Sequence, residues 1–110
     1  MEMTRGDTAR YKFRRLDDEG NPITEVPDNV YFTVKEDYFN LDPVLQKTIN
    51  DMSFDENYYF HFTINPEDTE NLMTRNYVYD IQVNQGNYKQ TIAKGVFKLT
   101  KEVTYVSNEV

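Results

Sequence analysis

The stretch NVYFTVKE, residues 29–36, alternates strictly, with Val30, Phe32 and Val34 on one side and Tyr31, Thr33 and Lys35 on the other. Successive side chains of a strand point to opposite faces, whereas a helix repeats its apolar positions every three to four residues. Period two, carried by β-branched and aromatic residues, therefore predicts a half-buried strand. The same period recurs on both sides of this stretch. ARYKFRR (9–15) sets Tyr11 and Phe13 against Lys12 and Arg14. DENYYFHFTI (55–64) sets Tyr58, Phe60, Phe62 and Ile64 against Tyr59, His61 and Thr63, and NYVYDIQV (76–83) sets Tyr77, Tyr79, Ile81 and Val83 against Val78, Asp80 and Gln82.

Between these runs lie turn signals: Asp18-Glu19-Gly20-Asn21-Pro22, Val26-Pro27-Asp28-Asn29, Asn65-Pro66-Glu67-Asp68 and Gln85-Gly86-Asn87. Glycine supplies positive φ, proline fixes φ, and Asn and Asp bond their own backbone. The run QGN is expected to close a hairpin, and Gly95 to mark a bulge in the last strand. In YFNLDPVLQKTIND, residues 38–51, Val44, Thr48 and Ile49 favour a strand over 44–49. PEDTENL, 66–72, has proline at a first helical position with acids beside it, which predicts a single helical turn. Short, regularly spaced strands without a long helix predict an antiparallel all-β sandwich or barrel. A chain of 110 residues supports one core, so a single domain over 1–110 is expected, with packing over about 4–104.

The formal net charge of −7 argues against a nucleic-acid partner, because binding the phosphate backbone requires Lys and Arg to displace condensed counterions. The densest basic patch, Arg10, Lys12, Arg14 and Arg15, is followed at once by Asp17, Asp18 and Glu19. The chain has no cysteine, which excludes a disulfide framework, a thiolate zinc site and a thiol nucleophile. No apolar run approaches the roughly 20 residues of a membrane span, and the N-terminus lacks a basic-then-apolar signal peptide. A soluble, non-exported chain with no membrane partner is the expectation.

Candidate chemistry is sparse. Arg5-Gly6-Asp7 is the integrin-binding tripeptide, yet a glycine bend before a strand accounts for it locally. The acidic run Asp17 to Asn21 lacks the ligand spacing of a calcium loop. His61, the only histidine, falls opposite Phe60 and Phe62 by parity, with neither a serine nucleophile elbow nor an orienting group beside it in sequence. It reads as an exposed or half-exposed sheet residue, and a non-enzymatic protein without metal or cofactor is expected. The nine Tyr and seven Phe supply the core. Tyr31 and Tyr59 face outward by parity, and with Arg10, Lys12 and Arg14 available to an acidic partner they make up the expected partner surface.

The segments TRGDTARYKFRRLDDEGNPI, VYFTVKEDYFNLDPVLQKTI, FTINPEDTENL, NYVYDIQV and IAKGVFKLTKEVT together resemble the small immunoglobulin-like domain at the N-terminus of tailed-phage baseplate upper proteins. Short phage and prophage structural proteins of Gram-positive hosts are similar. The resemblance spans about Thr4 to Thr104. Its distinctive elements are Arg5-Gly6-Asp7-Thr8, Phe32-Thr33-Val34-Lys35, Gln46-Lys47, Pro66-Glu67-Asp68-Thr69, Tyr77-Val78-Tyr79-Asp80-Ile81 and Lys94-Gly95-Val96-Phe97. It implies an antiparallel immunoglobulin-like sandwich with the RGD-like run as a strand-entry turn. It further implies a tail or baseplate assembly module without catalytic residues, a virion component assembled in the bacterial host cytoplasm. The implied partners are other phage structural proteins, a homo-oligomer included. The alternative expectation is a carbohydrate-binding module that attaches particles to the host cell wall, with an exposed Tyr as stacking platform.

Overall fold

The computed structural model describes residues 1–103. The strand over Asn29–Lys35, here β3, buries Val30, Phe32 and Val34 completely and turns Tyr31, Thr33 and Lys35 outward. The other strands are β1 (Glu2–Thr4), β2 (Ala9–Phe13), β4 (Leu45–Thr48), β5 (Ser53–Phe54), β6 (Phe60–Ile64), β7 (Asn76–Gln85) and β8 (Tyr88–Thr100). A five-stranded sheet runs β1-β8-β7-β3-β4, and a three-stranded sheet runs β2-β6-β5. Their apolar faces meet in one hydrophobic cluster. Phe32 of the larger sheet lies 4.7 Å, centroid to centroid, from Phe62 of the smaller, and Tyr11 and Phe13 stack beside Phe62 and Phe60 at 5.7 and 5.3 Å. The protein is thus nearly all-β, with two sheets packed face to face.

Several expectations need correction. The first strand precedes the Arg5-Gly6-Asp7 turn, and Met3 belongs to the core, so packing begins before residue 4. β1 also pairs with β8 in parallel, so the sheets are not wholly antiparallel. Nearly the whole chain separates these two strands, so no short turn constrains their relative direction. The expected limit at Thr104 lies outside the described residues. Residues 44–49 divide into β4 and a 3-10 turn over Ile49–Asp51, because the Asp51 carboxylate accepts from the Thr48 amide at 2.8 Å and curls the chain. Tyr58 leaves the alternation: it sits in the β5–β6 turn at φ 68°, where the Asp55 carboxylate accepts the amides of Asn57 and Tyr59 at 2.8 and 3.0 Å. Local hydrogen bonds of this Asx type outweigh period two there.

The bulge lies at Ile92, not at Gly95. Ile81 pairs with Ala93 and Gln82 with Thr91, leaving Ile92 as the extra residue. Gly95 has another role, because a Cβ there would stand 3.2 Å from Cε1 of the Tyr79 ring. The β7–β8 hairpin closes through Gly86 and Asn87, with Gly86 at φ 58° as the first turn residue, which suits a type II′ turn.

The remaining connections are anchored by side chains. Helical turn α1, Pro66–Thr69, starts at Asn65, whose amide donates to Asp68 Oδ2 at 2.7 Å. The same oxygen receives Lys47 Nζ from β4 at 2.8 Å, so two of the resembling motifs, Gln46-Lys47 and Pro66-Glu67-Asp68-Thr69, meet in space. Tyr77, at the start of β7, donates its hydroxyl to the Met73 carbonyl at 2.6 Å.

Candidate functional site

The antiparallel register of β2 on β6 places Arg10 opposite Thr63 and Lys12 opposite His61 on the outer face of the small sheet. Continuing that register sets Arg14 against Tyr59. Tyr11, Phe13, Phe60 and Phe62 fill the inner face, so the outward positions of these strands carry only polar, charged or amphipathic groups. The result is a flanked ring: Lys12 Nζ and Arg14 Cζ each stand 4.6 Å from the centroid of Tyr59. A cation over an aromatic face is attracted by the ring quadrupole, which orders both long side chains on an open surface. Among the described residues, none of Arg10, Lys12 and Arg14 lies in ion-pair range of a carboxylate. Arg14 does donate a long bond to the Asn57 carbonyl, at 3.5 Å, which tethers the guanidinium without neutralising it.

His61 lies on the same face. Its Nε2 is 2.6 Å from Asp55 Oδ2, so the orienting group missing from the adjacent sequence is supplied by the β5–β6 turn. The His61 hydrogen bond, reinforced by the amides of Tyr59 and Asn57, holds the Asp55 carboxyl below its usual range. Ser53 stands in register across from His61 on β5, but no hydrogen bond joins them among the described residues. Serine, histidine and aspartate thus share one face, with the histidine bonded to the aspartate and, among the described residues, not to the serine. No group of three or more His, Asp or Glu among the described residues is placed to hold a metal ion.

Four of the five expected surface residues, Arg10, Lys12, Arg14 and Tyr59, come together here. Tyr31 does not. It lies on the outer face of the five-stranded sheet, opposite Thr48 and Gln82, on the other side of the sandwich. Parity correctly turned both tyrosines outward, but it carries no information about which sheet a strand joins. Around Tyr31 a shallow groove of about 270 Å³ is lined by Thr33, Lys35, Leu41, Gln46 and Asp80. The β3–β4 loop beside it exposes Tyr38, Phe39 and Leu41, the last two to about nine-tenths. Sequence reasoning passed over this loop, although apolar residues among Asn, Asp and Pro in YFNLDP were a signal.

Two residues of the RGD-like run are engaged within the fold, while Asp7 is exposed. Arg5 makes two bonds to the Glu102 carboxylate, at 3.2 and 2.9 Å, and a third to the Leu72 carbonyl. Gly6, at φ 81°, donates its amide to the hydroxyl of fully buried Thr69. The turn carries the chain from the large sheet to the small one, which explains its composition locally.

Fold and face together define a small two-sheet β domain that presents cations and an aromatic ring on a sheet face that is uncovered among the described residues. The chain matches no family model and no curated protein sequence.

Proposed function

We propose that the protein is a non-enzymatic, immunoglobulin-like assembly module of a phage or prophage tail or baseplate, acting through protein–protein contacts. The immunoglobulin-like reading is supported by strand order. β2-β6-β5 corresponds to strands B-E-D, and β8-β7-β3-β4 to G-F-C with the additional C′ strand of variable-type domains. Tyr77 supports it further: a tyrosine at the start of strand F whose hydroxyl bonds backbone a few residues upstream is the tyrosine corner of such domains. The phage reading is supported by the segment resemblance alone.

The observation that carries a contact function is the approach of Lys12 and Arg14 to the Tyr59 ring, with neither cation ion-paired among the described residues. Tyr and Arg are enriched at protein interfaces, and unpaired cations steer an acidic partner. Quantitative mass spectrometry of particles purified after prophage induction tests the reading. A fixed stoichiometry with tail proteins is expected, and loss of incorporation when Lys12→Glu and Arg14→Glu are combined in a variant that still folds. Particles lacking the protein altogether would overturn it.

The Tyr31 groove favours a second reading, attachment to host wall glycan, since an aromatic ring beside Gln46, Asp80 and Gln82 offers stacking and hydroxyl bonding together. Wall-polysaccharide binding that disappears on Tyr31→Ala and survives Tyr59→Ala would establish it in place of the first.

A further inference from the structure

β8 is longer than anything beside it on one flank. β1 pairs only with its last part, Lys98 to Thr100, and the contact begins where the Met1 amino group reaches the Val96 carbonyl at 3.2 Å. The Lys98 amide then donates to the Met1 carbonyl, and the Arg5 amide to the Thr100 carbonyl, each at 2.8 Å. Backbone groups of Val96, Lys98 and Thr100 therefore point toward the β1 flank, away from β7. Alternation carries Lys94 to the same flank. From the other end, the two-residue turn makes Gln85 and Tyr88 a hydrogen-bonded pair, which turns Lys89 and Thr91 outward too. The bulge at Ile92 reconciles the two counts.

The N–H and C=O groups of Lys89, Thr91 and Lys94 thus face an edge on which no strand is paired among the described residues. This edge has a wall. Arg14, Arg15, Leu16 and Ile23 from the β2–β3 connection line a groove of about 290 Å³ with Gln90, Thr91 and Ile92. No acid lines it. Arg15 donates to the Glu25 carbonyl at 2.7 Å, and none of Arg14, Arg15, Lys89 and Lys94 is ion-paired among the described residues.

We infer that the β8 edge from Lys89 to Lys94 is a strand-addition site for an extended, acidic segment of a partner protein. Backbone groups of β8 would hold its main chain, Arg15 and the two lysines its carboxylates, and Leu16 and Ile23 an apolar side chain. A second copy of the chain is the weaker occupant. Two-fold pairing about Thr91 and Ile92 would set Lys89 of one copy against Lys94 of the other, and an edge lysine beside a bulge is a device that blocks self-pairing. The inference rests on the assembly reading and specifies how the partner is held.

The test uses the full chain with a synthetic peptide of about ten residues that alternates Glu with Val and Thr. Its lysine counterpart and a backbone N-methylated version serve as controls. Amide hydrogen exchange by NMR is expected to show new protection at Lys89, Thr91 and Lys94. Affinity should fall about tenfold or more when Lys89→Glu and Lys94→Glu are combined, and fall with added salt. Thr91→Pro removes an edge-facing amide without removing a bond to β7 and should weaken binding, with its own amide spectrum as the control for folding. Protection confined to other residues, equal binding of the N-methylated peptide, or no protection at millimolar peptide overturns the proposal. So does concentration-dependent protection of the same amides without peptide, which would assign the edge to a second copy. If particle incorporation is lost with Lys12→Glu and Arg14→Glu but unaffected by the Lys89 and Lys94 reversals, the assembly reading survives and strand addition fails.

Discussion

Gly95 stands across the β7–β8 ladder from Tyr79 and leaves room for that ring. A larger residue must displace it, so Gly95→Val is expected to cost about 1–3 kcal/mol in chemical denaturation, as overpacked sites do. Sequence inspection marked Gly95 as unusual but attached it to the wrong cause, because a bulge and a close ring approach both favour glycine. Glu102 offers a second residue-scale test. The hydrogen bonds from Arg5 draw its carboxyl from 4.5 down to about 2. Since the folded value lies below the unfolded one, the stabilisation is complete above about 4.5 and is lost as pH falls toward 2. Carboxyl carbon shifts should follow Glu102 titrating near 2, and Arg5→Ala should raise it toward 4.5. Tyr77→Phe removes the hydroxyl that reaches Met73, with an expected loss of about 1 kcal/mol.

Elements with clean alternation were legible: β3 and β6 bury the side chains that parity assigned to the interior, β7 buries Tyr77, Ile81 and Val83 and leaves Tyr79 half-buried, and the QGN hairpin and the helical turn at Pro66 form where their turn chemistry indicates. What escaped was set by partners distant in sequence. β1 is too short to show a period, and it is a strand because β8 offers an edge. The Asp55–His61 bond depends on a turn whose curvature period two does not encode. At this scale the Asp68 carboxylate is the informative target, since it caps α1 and anchors β4 through Lys47. Asp68→Ala is expected to cost about 2–3 kcal/mol, more than Lys47→Ala, which leaves the cap in place. A double-mutant cycle measured by urea denaturation separates the two contributions.

Across the whole molecule, Phe32 is the ring that ties one sheet to the other, fully buried and 4.7 Å from Phe62. Phe32→Ala is expected to cost about 3–5 kcal/mol. Phe54→Ala, at the rim of the small sheet and 40% exposed, should cost clearly less in the same melts. Composition and period located the core, but the division of the candidate residues between the two outer faces was not readable, because sheet membership separates Tyr31 from Tyr59. The parallel pairing of β1 with β8 has a mechanical meaning as well. Tension applied at residue 1 and at residue 103 draws these neighbouring strands in opposite directions along their common axis. Their hydrogen bonds, with the Arg5 clamp on Glu102, are then loaded together in shear instead of parting one after another. Such a domain transmits force between its ends as a stiff link, and its rupture is governed by the unfolding barrier, not by equilibrium stability.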